Sequence, residues 1–397
     1  MARHSDYYHD ENRKVQRRRP EGSVRRALLW VVDVVMFVIS IAAAVALLGG
    51  ALARVVNPQT TALFVFAGLF YQIIYLVNIA CALWWVVRWK RWFFISAVVL
   101  LVGYGNIGLF YRSDFKEGDA VAPRSRDNLV VATYNVCNFN DVDTSEGSSS
   151  YHRIGEWLNE QGVQIALLQE AYFSSNKSFA EFKQGLRKMG YGFFVNASVE
   201  KRGVQTGSGY ALFSTYPIVR HAAVCENGDN VGGVWADIKI ARDTLRVFNL
   251  HLQSTGITNT DRNDTLSPQI IEDTMARAKL SKVANKVIDN YLQRATQAKR
   301  VAEAIEQSPY PVLVCGDFND TPVSYTYDQI ISEGLSDAYV ERGRGTEYTF
   351  KGLYNLFRID YVLPSEEYFD IKLYRSFDLE HSDHKAIVVT LTPKVED

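Results

Sequence analysis

Eight polar residues able to hold a cation or grip a phosphate stand where apolar runs stop: Asn135, Glu170, His251, Asp317, Asn319, Asp360, Asp383 and His384. Val130–Tyr134 runs into Asn135, Ile165–Leu168 into Gln169-Glu170, Leu245–Leu250 into His251, and Val312–Cys315 into Gly316-Asp317-Phe318-Asn319-Asp320. Ile359 leads to Asp360, and Ser382-Asp383-His384 precedes the final apolar run. Taken singly, each has an ordinary reading: Asn135, Asp317 and Asn319 as turn formers, Glu170 as an exposed strand end, His251 as a satisfied core histidine. Taken together, two histidines, four carboxylates and two amides at strand ends make a site for a hard cation and a phosphate. Oxygen-rich donors favour Mg2+ over zinc. A carboxylate at a strand end escapes burial while the scaffold holds it still, and Gly316 lets the backbone turn sharply beside Asp317.

The elements that must position these residues alternate in type. Leu129–Tyr134 is apolar and rich in β-branched residues, the pattern of a buried strand, and Val163–Leu168, Tyr210–Phe213, Val234–Ile240 and Leu245–Leu252 continue the β signal. Ser150 is placed to cap a helix through Trp157 and Leu158. Ser267-Pro268 opens a long stretch to about Gln307 with helical spacing at Ile271, Met275, Ala278, Leu280, Val283, Val287, Ile288 and Leu292. Strands return at Tyr310–Cys315, Ile359–Leu363 and Lys385–Leu391. Such alternation predicts an α/β domain of sheets covered by helices.

The motifs, in this order, resemble the endonuclease/exonuclease/phosphatase superfamily, which includes deoxyribonuclease I, exonuclease III-type enzymes and neutral sphingomyelinases. They are Thr133-Tyr134-Asn135, Leu168-Gln169-Glu170, Asn249-Leu250-His251-Leu252, Gly316-Asp317-Phe318-Asn319-Asp320, Arg358-Ile359-Asp360-Tyr361 and Ser382-Asp383-His384. The resemblance runs from Asn128 to the C-terminus and implies a four-layer α/β sandwich, two packed sheets flanked by helices. It implies a metal-dependent phosphoric ester hydrolase, with Glu170 binding Mg2+ (or Mn2+ as a substitute) and Asn135 beside it. Asp317 would orient or deprotonate the attacking water, and Asn319 would bond the transition state. His251 and His384 would contact phosphate, and Asp383 would fix the tautomer of His384. Asp360 would support that histidine from behind or help hold metal. Which of Asp317 and His384 takes the proton stays open.

Two departures stand out. The long insert between His251 and Gly316 would either overhang the site or form an outer helical pair. Gly207-Ser208-Gly209-Tyr210 lies where deoxyribonuclease-like members carry an acid, and this chain has none there.

The first third of the 397-residue chain is of another kind. Three apolar stretches, Ala27–Ala53, Thr61–Val87 and Trp92–Tyr111, each approach the roughly 20 residues that cross a bilayer as a helix. Arg13, Lys14, Arg17, Arg18, Arg19, Arg25 and Arg26 precede the first, and Arg88, Lys90 and Arg91 separate the second from the third. Between the first and second stands only Arg54. The positive-inside rule then makes the N-terminus cytoplasmic and everything after the third stretch extracytoplasmic, with Trp84, Trp85, Trp89 and Trp92 in an inner aromatic belt. A signal peptide is the rival reading of the first stretch. The expected order is a basic cytoplasmic tail (1–26), an all-α transmembrane anchor (27–111), a linker (112–127) and the catalytic domain (128–397).

Charge narrows the substrate. Residues 1–112 carry 13 Lys+Arg against 5 Asp+Glu, and the remainder carries 30 against 39, a balance of −9. An acidic domain is poorly suited to nonspecific nucleic-acid binding, which rests on neutralising phosphates. Tethering to a bilayer raises the effective concentration of lipid headgroups. The expected partners are therefore the bilayer and a phosphoester substrate, first a lipid headgroup and second a nucleic acid, with no obligate protein partner. An inactive binding module is the alternative of another class. The four cysteines, Cys81, Cys137, Cys225 and Cys315, have no spacing that fits a disulfide framework or a zinc site.

Overall fold

The computed structural model describes residues 21–113, 128–139, 150–173, 176–197, 200–201, 204–205, 209–224, 232–256 and 274–394. The tail before residue 21, the linker beyond Ser113, Cys225 and the expected helix start at Ser267-Pro268 lie outside the described residues.

The N-terminal part is a helical bundle: α1 (Glu21–Leu52), the short α2 (Val65–Leu69), α3 (Tyr71–Val87) and α4 (Phe93–Gly103), which tightens into a 3-10 turn over Tyr104–Leu109. Within α1, Arg25–Leu52 is long and apolar enough to cross a membrane, with a mean hydropathy of 2.7. Two shorter apolar segments, Tyr71–Val87 and Phe93–Leu109, pack beside it. The stretch expected to be continuous from Thr61 is broken at Phe70. Gly68, one turn earlier, lies so close to the Val323 carbonyl that any side chain there would collide.

Several polar groups inside the bundle find partners across helices. Asn78 Nδ2 donates to the Ala43 carbonyl at 2.9 Å, and Arg88 grips both oxygens of Asp33 at 2.9 and 2.8 Å. Trp85, expected in an aromatic belt, is instead buried and donates to Ser40 Oγ at 2.8 Å. The outward face is apolar, with Val34, Val38, Val45, Ile73, Leu76, Leu83, Val98 and Leu101 all exposed.

The rest of the chain folds as two packed sheets. Its strands are β1 (Leu129–Asn135), β2 (Ile165–Gln169), β3 (Phe193–Ala197), β4 (Tyr210–Ser214), β5 (Ile218–Val224), β6 (Gly233–Ile240), β7 (Asp243–His251), β8 (Val312–Asp317), β9 (Asp360–Pro364), β10 (Phe369–Phe377) and β11 (Ala386–Pro393). One sheet has the order β10-β11-β1-β2-β4-β3, the other β9-β8-β7-β6-β5.

Period-two alternation builds the layers. Leu129 and Val131 of β1, Ile165 and Leu167 of β2, Leu245 and Val247 of β7, and Leu313 and Cys315 of β8 all enter one core between the sheets. Their neighbours Ala132, Tyr134 and Leu168 face outward against α5 (Ser150–Glu160) and α6 (Asn176–Lys188). On the other outer face, Phe248, Val312 and Val314 meet Ala298, Val301 and Ile305 of α7 (Thr274–Glu306). Among the described residues of the insert, 274–306 form one long helix lying on the β7–β8 face, and the part immediately before it lies outside the described residues.

The bundle is seated on this second sheet's helical layer. Arg54 pairs with Asp328 of α8 (Tyr325–Ile331) at 2.9 and 2.5 Å and donates to Asn106 at 2.9 Å. Arg358 reaches the Leu109 carbonyl at 3.0 Å, and the Tyr339 hydroxyl of α9 (Ala338–Arg342) reaches that of Phe110 at 2.9 Å. Val323 is buried among Ala44, Leu47, Tyr71 and Phe110.

The parallel pairing of β7 with β8 places Leu250 opposite Gly316, whose φ is +135° and whose Cα hydrogen faces the Leu250 carbonyl. Gly316→Ala should therefore lower the thermal midpoint by several degrees, since the backbone strain alone is about 1–3 kcal/mol. A midpoint equal to that of the unsubstituted chain, read by circular dichroism, would show that the close approach is not needed.

Candidate active site

The inward-facing series of each strand runs out of apolar residues at the same end. Beyond Leu129 and Val131, β1 continues its inner face with Thr133 and Asn135. After Leu245 and Val247, β7 continues with Asn249 and His251, and β8 follows Leu313 and Cys315 with Asp317. Register then sets His251, Asp317 and Asp360 side by side, because His251 pairs with Asp317 on β8 and Asp317 with Asp360 on β9. In the facing sheet Asn135 pairs with Gln169.

Contacts across the gap close the site. Asn135 Nδ2 donates to Asp317 Oδ2 at 3.0 Å and to Glu170 Oε1 at 3.2 Å. His251 Nε2 lies 3.5 Å from Glu170 Oε1 and 3.7 Å from Asp317 Oδ2, yet is buried without a hydrogen bond to any described residue. His384 Nδ1 meets Asp360 Oδ2 at 2.9 Å, and its Nε2 lies 3.7 Å from Asp317 Oδ2. Asn319 donates its backbone N–H to Asp317 Oδ1 at 2.7 Å and its amide to the Leu252 carbonyl at 3.1 Å. Seven of the eight expected residues therefore share one contact network. The eighth, Asp383, is exposed and receives Lys351 N on its carbonyl at 2.8 Å. The expectation that Asp383 fixes the tautomer of His384 is corrected: Asp360 occupies Nδ1, and Asp383 acts on the ring only through its charge.

Several supporting residues carried motif letters without a role, or no signal at all. Gln169 Nε2 donates to Asn249 Oδ1 at 2.7 Å and to Thr133 Oγ1 at 3.0 Å, a buried amide bridge under the site. Asn249 stands two residues before His251, so its place on the inner face was legible from period two alone. Asn138 donates to Glu170 Oε2 at 3.4 Å. Thr349 Oγ1 accepts from Ile359 N and Asp360 N at 2.9 and 3.0 Å, and Ser382 Oγ spans Asn135 O and His384 N at 2.7 and 3.0 Å. At Gly209-Tyr210, where an acid is missing, Tyr210 donates to the His251 carbonyl at 3.2 Å, while Gly207 and Ser208 lie outside the described residues.

Two side chains sit on strained backbone. Glu170 has φ +51° and Asn319 has φ +53°, the left-handed region that costs a residue with a Cβ about 1–3 kcal/mol. At Glu170 the turn breaks alternation, so that Gln169 and Glu170 both reach the same end of the sandwich.

The electrostatics follow from burial. Burial opposes charge on His384, but the carboxylates of Asp360 and Asp317 outweigh it and push its pKa up to about 10. Burial and the nearby Asp360 raise Asp317, while His384 and His251 pull it back part of the way. The donor set fits a hard cation. Asp317, Asp360 and His384 have donor atoms within 4.8 Å of one another, and Asp360 Oδ1 is buried with no hydrogen bond to a described residue. Within that group Asp360 already engages His384 Nδ1 at 2.9 Å. Glu170, whose side chain is 26% exposed, offers the more open carboxylate, and the buried Asn135 stands beside it with its Oδ1 accepting from Cys137 N at 3.1 Å.

A model of the endonuclease/exonuclease/phosphatase family matches residues 132–384, and the chain belongs to that family. It is accordingly a metal-dependent hydrolase of phosphoric esters. A model described only as a domain of unknown function matches residues 33–110, the helical bundle. No curated protein matches the chain. Similar solved structures include an endonuclease/exonuclease/phosphatase family protein from Bacteroides thetaiotaomicron, 20% identical with a TM-score of 0.45, covering 68% of this chain and 98% of that one. The human Nocturnin catalytic domain with bound sulfate is 17% identical with a TM-score of 0.46, covering 68% and 96%. A mannosyl-6-phosphatase from Bacteroides thetaiotaomicron is 19% identical with a TM-score of 0.43, covering 66% and 99%.

The His384 pKa gives a pH prediction. A folded-state pKa above the ordinary 6.5 means the Asp360–His384–Asp317 attraction is complete below pH 6.5 and is lost as pH rises towards about 10. Metal-free protein should thus lose thermal stability between neutrality and pH 10, and His384→Gln should flatten that slope. Parallel slopes in the two proteins would count against a charged His384.

Proposed function

We propose that the chain is a Mg2+-dependent phosphodiesterase held by three membrane spans, with its site turned to the extracytoplasmic surface and a lipid headgroup phosphoester as substrate. One observation carries this reading: the segment leaving the site rests on the helical bundle. Four residues after Asp317, Thr321 Oγ1 donates to the Gly68 carbonyl at 3.5 Å, and Val323 is buried between Leu47 and Tyr71. The end of the sandwich that bears the polar residues is therefore the end that meets the bundle.

One helix, Arg25–Leu52, is long and apolar enough to cross a membrane by itself, and this reading takes the two shorter apolar segments as further spans. The two shorter segments hold 17 residues each, about 25 Å as helix and within the range for crossing. Large apolar side chains are exposed along both, among them Ile73, Leu76, Leu83, Phe94, Val98 and Leu101. The cationic loops put the N-terminus and residues 88–91 in the cytoplasm.

Glu170 and Asn135 would hold Mg2+, with Mn2+ as a substitute; bound there, the ion offsets charge on a phosphoryl oxygen and the leaving group. Asp317, with its raised pKa, takes the proton of the attacking water, because His384 already carries its own. His384 donates from Nε2 to a phosphate oxygen, and Asp360 holds the ring from Nδ1. His251, whose Nε2 has no hydrogen bond to a described residue, gives a second phosphate contact. Asn319 supplies an amide to the charge that develops on the transferring group, and Asp383 adds negative potential at His384.

Purified full-length chain should release headgroup from phospholipid or sphingolipid vesicles with Mg2+ and not with EDTA, leaving single- and double-stranded DNA intact. DNA cleavage with vesicles untouched would make it a tethered nuclease instead, and no turnover on any phosphoester would make it a binding module. Asp317→Asn should slow the reaction about 10²–10⁴-fold, and near-normal rates would remove Asp317 as the base. A reporter active only outside the cytoplasm should work when fused after Asp397; silence would overturn the topology.

A further inference from the structure

Between Thr349 and Arg358 the chain makes a loop that touches both the site and the bundle. At its base Phe350 forms a bridge to His384, with the two rings 5.2 Å apart, and a second bridge to Phe357. On its other side the Phe357 ring lies 6.2 Å from Phe70, the residue immediately before α3 begins. At its tip, Tyr354 and Asn355 take left-handed backbone, with φ of +61° and +57°. This kink turns Tyr354 outward, and it is 81% exposed.

The exposed aromatic thus stands on left-handed backbone in a loop whose base touches a residue of the site. Exposed apolar side chains also stand in the connection between α1 and α2, where Leu63 is 76% and Val55 66% exposed. We infer that Tyr354 is an interfacial anchor that inserts into the headgroup layer of the membrane holding α1, α3 and α4. It makes the Phe350–Phe357 loop the lip over which a lipid phosphoester reaches His384. Tyrosine suits that layer because its ring is apolar and its hydroxyl stays wet. Position agrees with chemistry. Tyr354 is three residues from Phe357, about 10 Å of chain at most, enough to reach a polar layer about 5–7 Å deep on each side of the bilayer.

The inference rests on the three-span, lipid-substrate reading, and its test separates the two. Tyr354→Cys carrying an environment-sensitive fluorophore would be reconstituted as full-length protein in phosphatidylcholine nanodiscs, with and without a phospholipid bearing a nitroxide on its headgroup. The unsubstituted chain, carried through the same labelling, gives the blank for native cysteines. Headgroup nitroxide should reduce the emission at least about twofold, as an interfacial position requires. Equal emission in the two discs would overturn the lip, even if vesicle lipid is hydrolysed. Quenching in a protein that hydrolyses no lipid would keep the lip and remove the lipid substrate. In kinetics, Tyr354→Ser should raise KM for vesicle substrate about tenfold, with Tyr354→Phe restoring most of it and turnover of a soluble chromogenic phosphodiester unchanged. An equal loss on the soluble substrate would mean that Tyr354 supports the site and does not reach the membrane.

Discussion

The hydrogen bond from Asn135 to Asp317 joins the two sheets at one end of the sandwich, and the site is organised around it. Elsewhere the sheets meet through aliphatic side chains, an attraction without direction. At this end polar links replace it, among them Asn135 to Asp317, Gln169 to Asn249, and His384 to Asp360. Each takes one residue from either sheet, or from the segment entering it. Hydrogen bonds have preferred distance and angle, so the links fix sheet spacing and register where the apolar core does not. They also tolerate little loss, because a buried partner left alone costs about 1–3 kcal/mol.

Charge is balanced within the same seam. Asp317 and Asp360 face each other on adjacent strands, which like charges resist unless a cation lies nearby. His384 answers that need by standing against both, and its proton is retained as a consequence. Glu170, at the other edge of Asn135, has amide donors from Asn135 and Asn138 but no cationic side chain as close as Asp360 has. The uncompensated carboxylate is therefore on the Glu170 side. That asymmetry sets an open acidic edge at Glu170 against the Asp360–His384–Asp317 edge within one row of acids.

Much of this was legible because period two does not stop where apolar residues do. A strand that alternates inward valine and leucine must point its next odd residue the same way, which is how Asn135, His251 and Asp317 declared themselves. Glu170 was legible as a carboxylate but not as a kink, since its left-handed φ follows from contacts with Asn138 and Tyr172 that no spacing reveals. The role given to Asp383 went to Asp360 for a similar reason. Adjacency in sequence favoured Asp383, whereas antiparallel pairing of β8 with β9 brings in a residue 24 positions away. Thr349 carries no motif at all; only the fold sets its hydroxyl on the two amides that precede and carry Asp360. In the bundle, hydropathy found the apolar stretches but not the break at Phe70, two residues after Gly68 packs against the Val323 carbonyl.

The way the bundle is attached bears on what the site can reach. A flexible leash would let a domain sample any direction, and its substrate would be set by chemistry alone. Here Arg54, Arg358 and Tyr339 make buried or half-buried contacts across the junction, and Tyr111–Arg112 pairs as a short antiparallel strand with Gly345–Thr346. Arg358 is the clearest case: it is buried, paired with Asp337 at 2.8 Å, bonded to Leu109, and two residues from Asp360. One side chain thus ties the end of the helical part to the strand that holds His384. If the bundle spans a membrane, this rigidity fixes the site's height and tilt above the bilayer. A duplex approaching from bulk water gains nothing from such orientation, whereas a headgroup can be met in only one geometry. The orientational cost of binding is then met once, by folding, and this is the physical advantage of a docked anchor over a tether for a substrate confined to a surface.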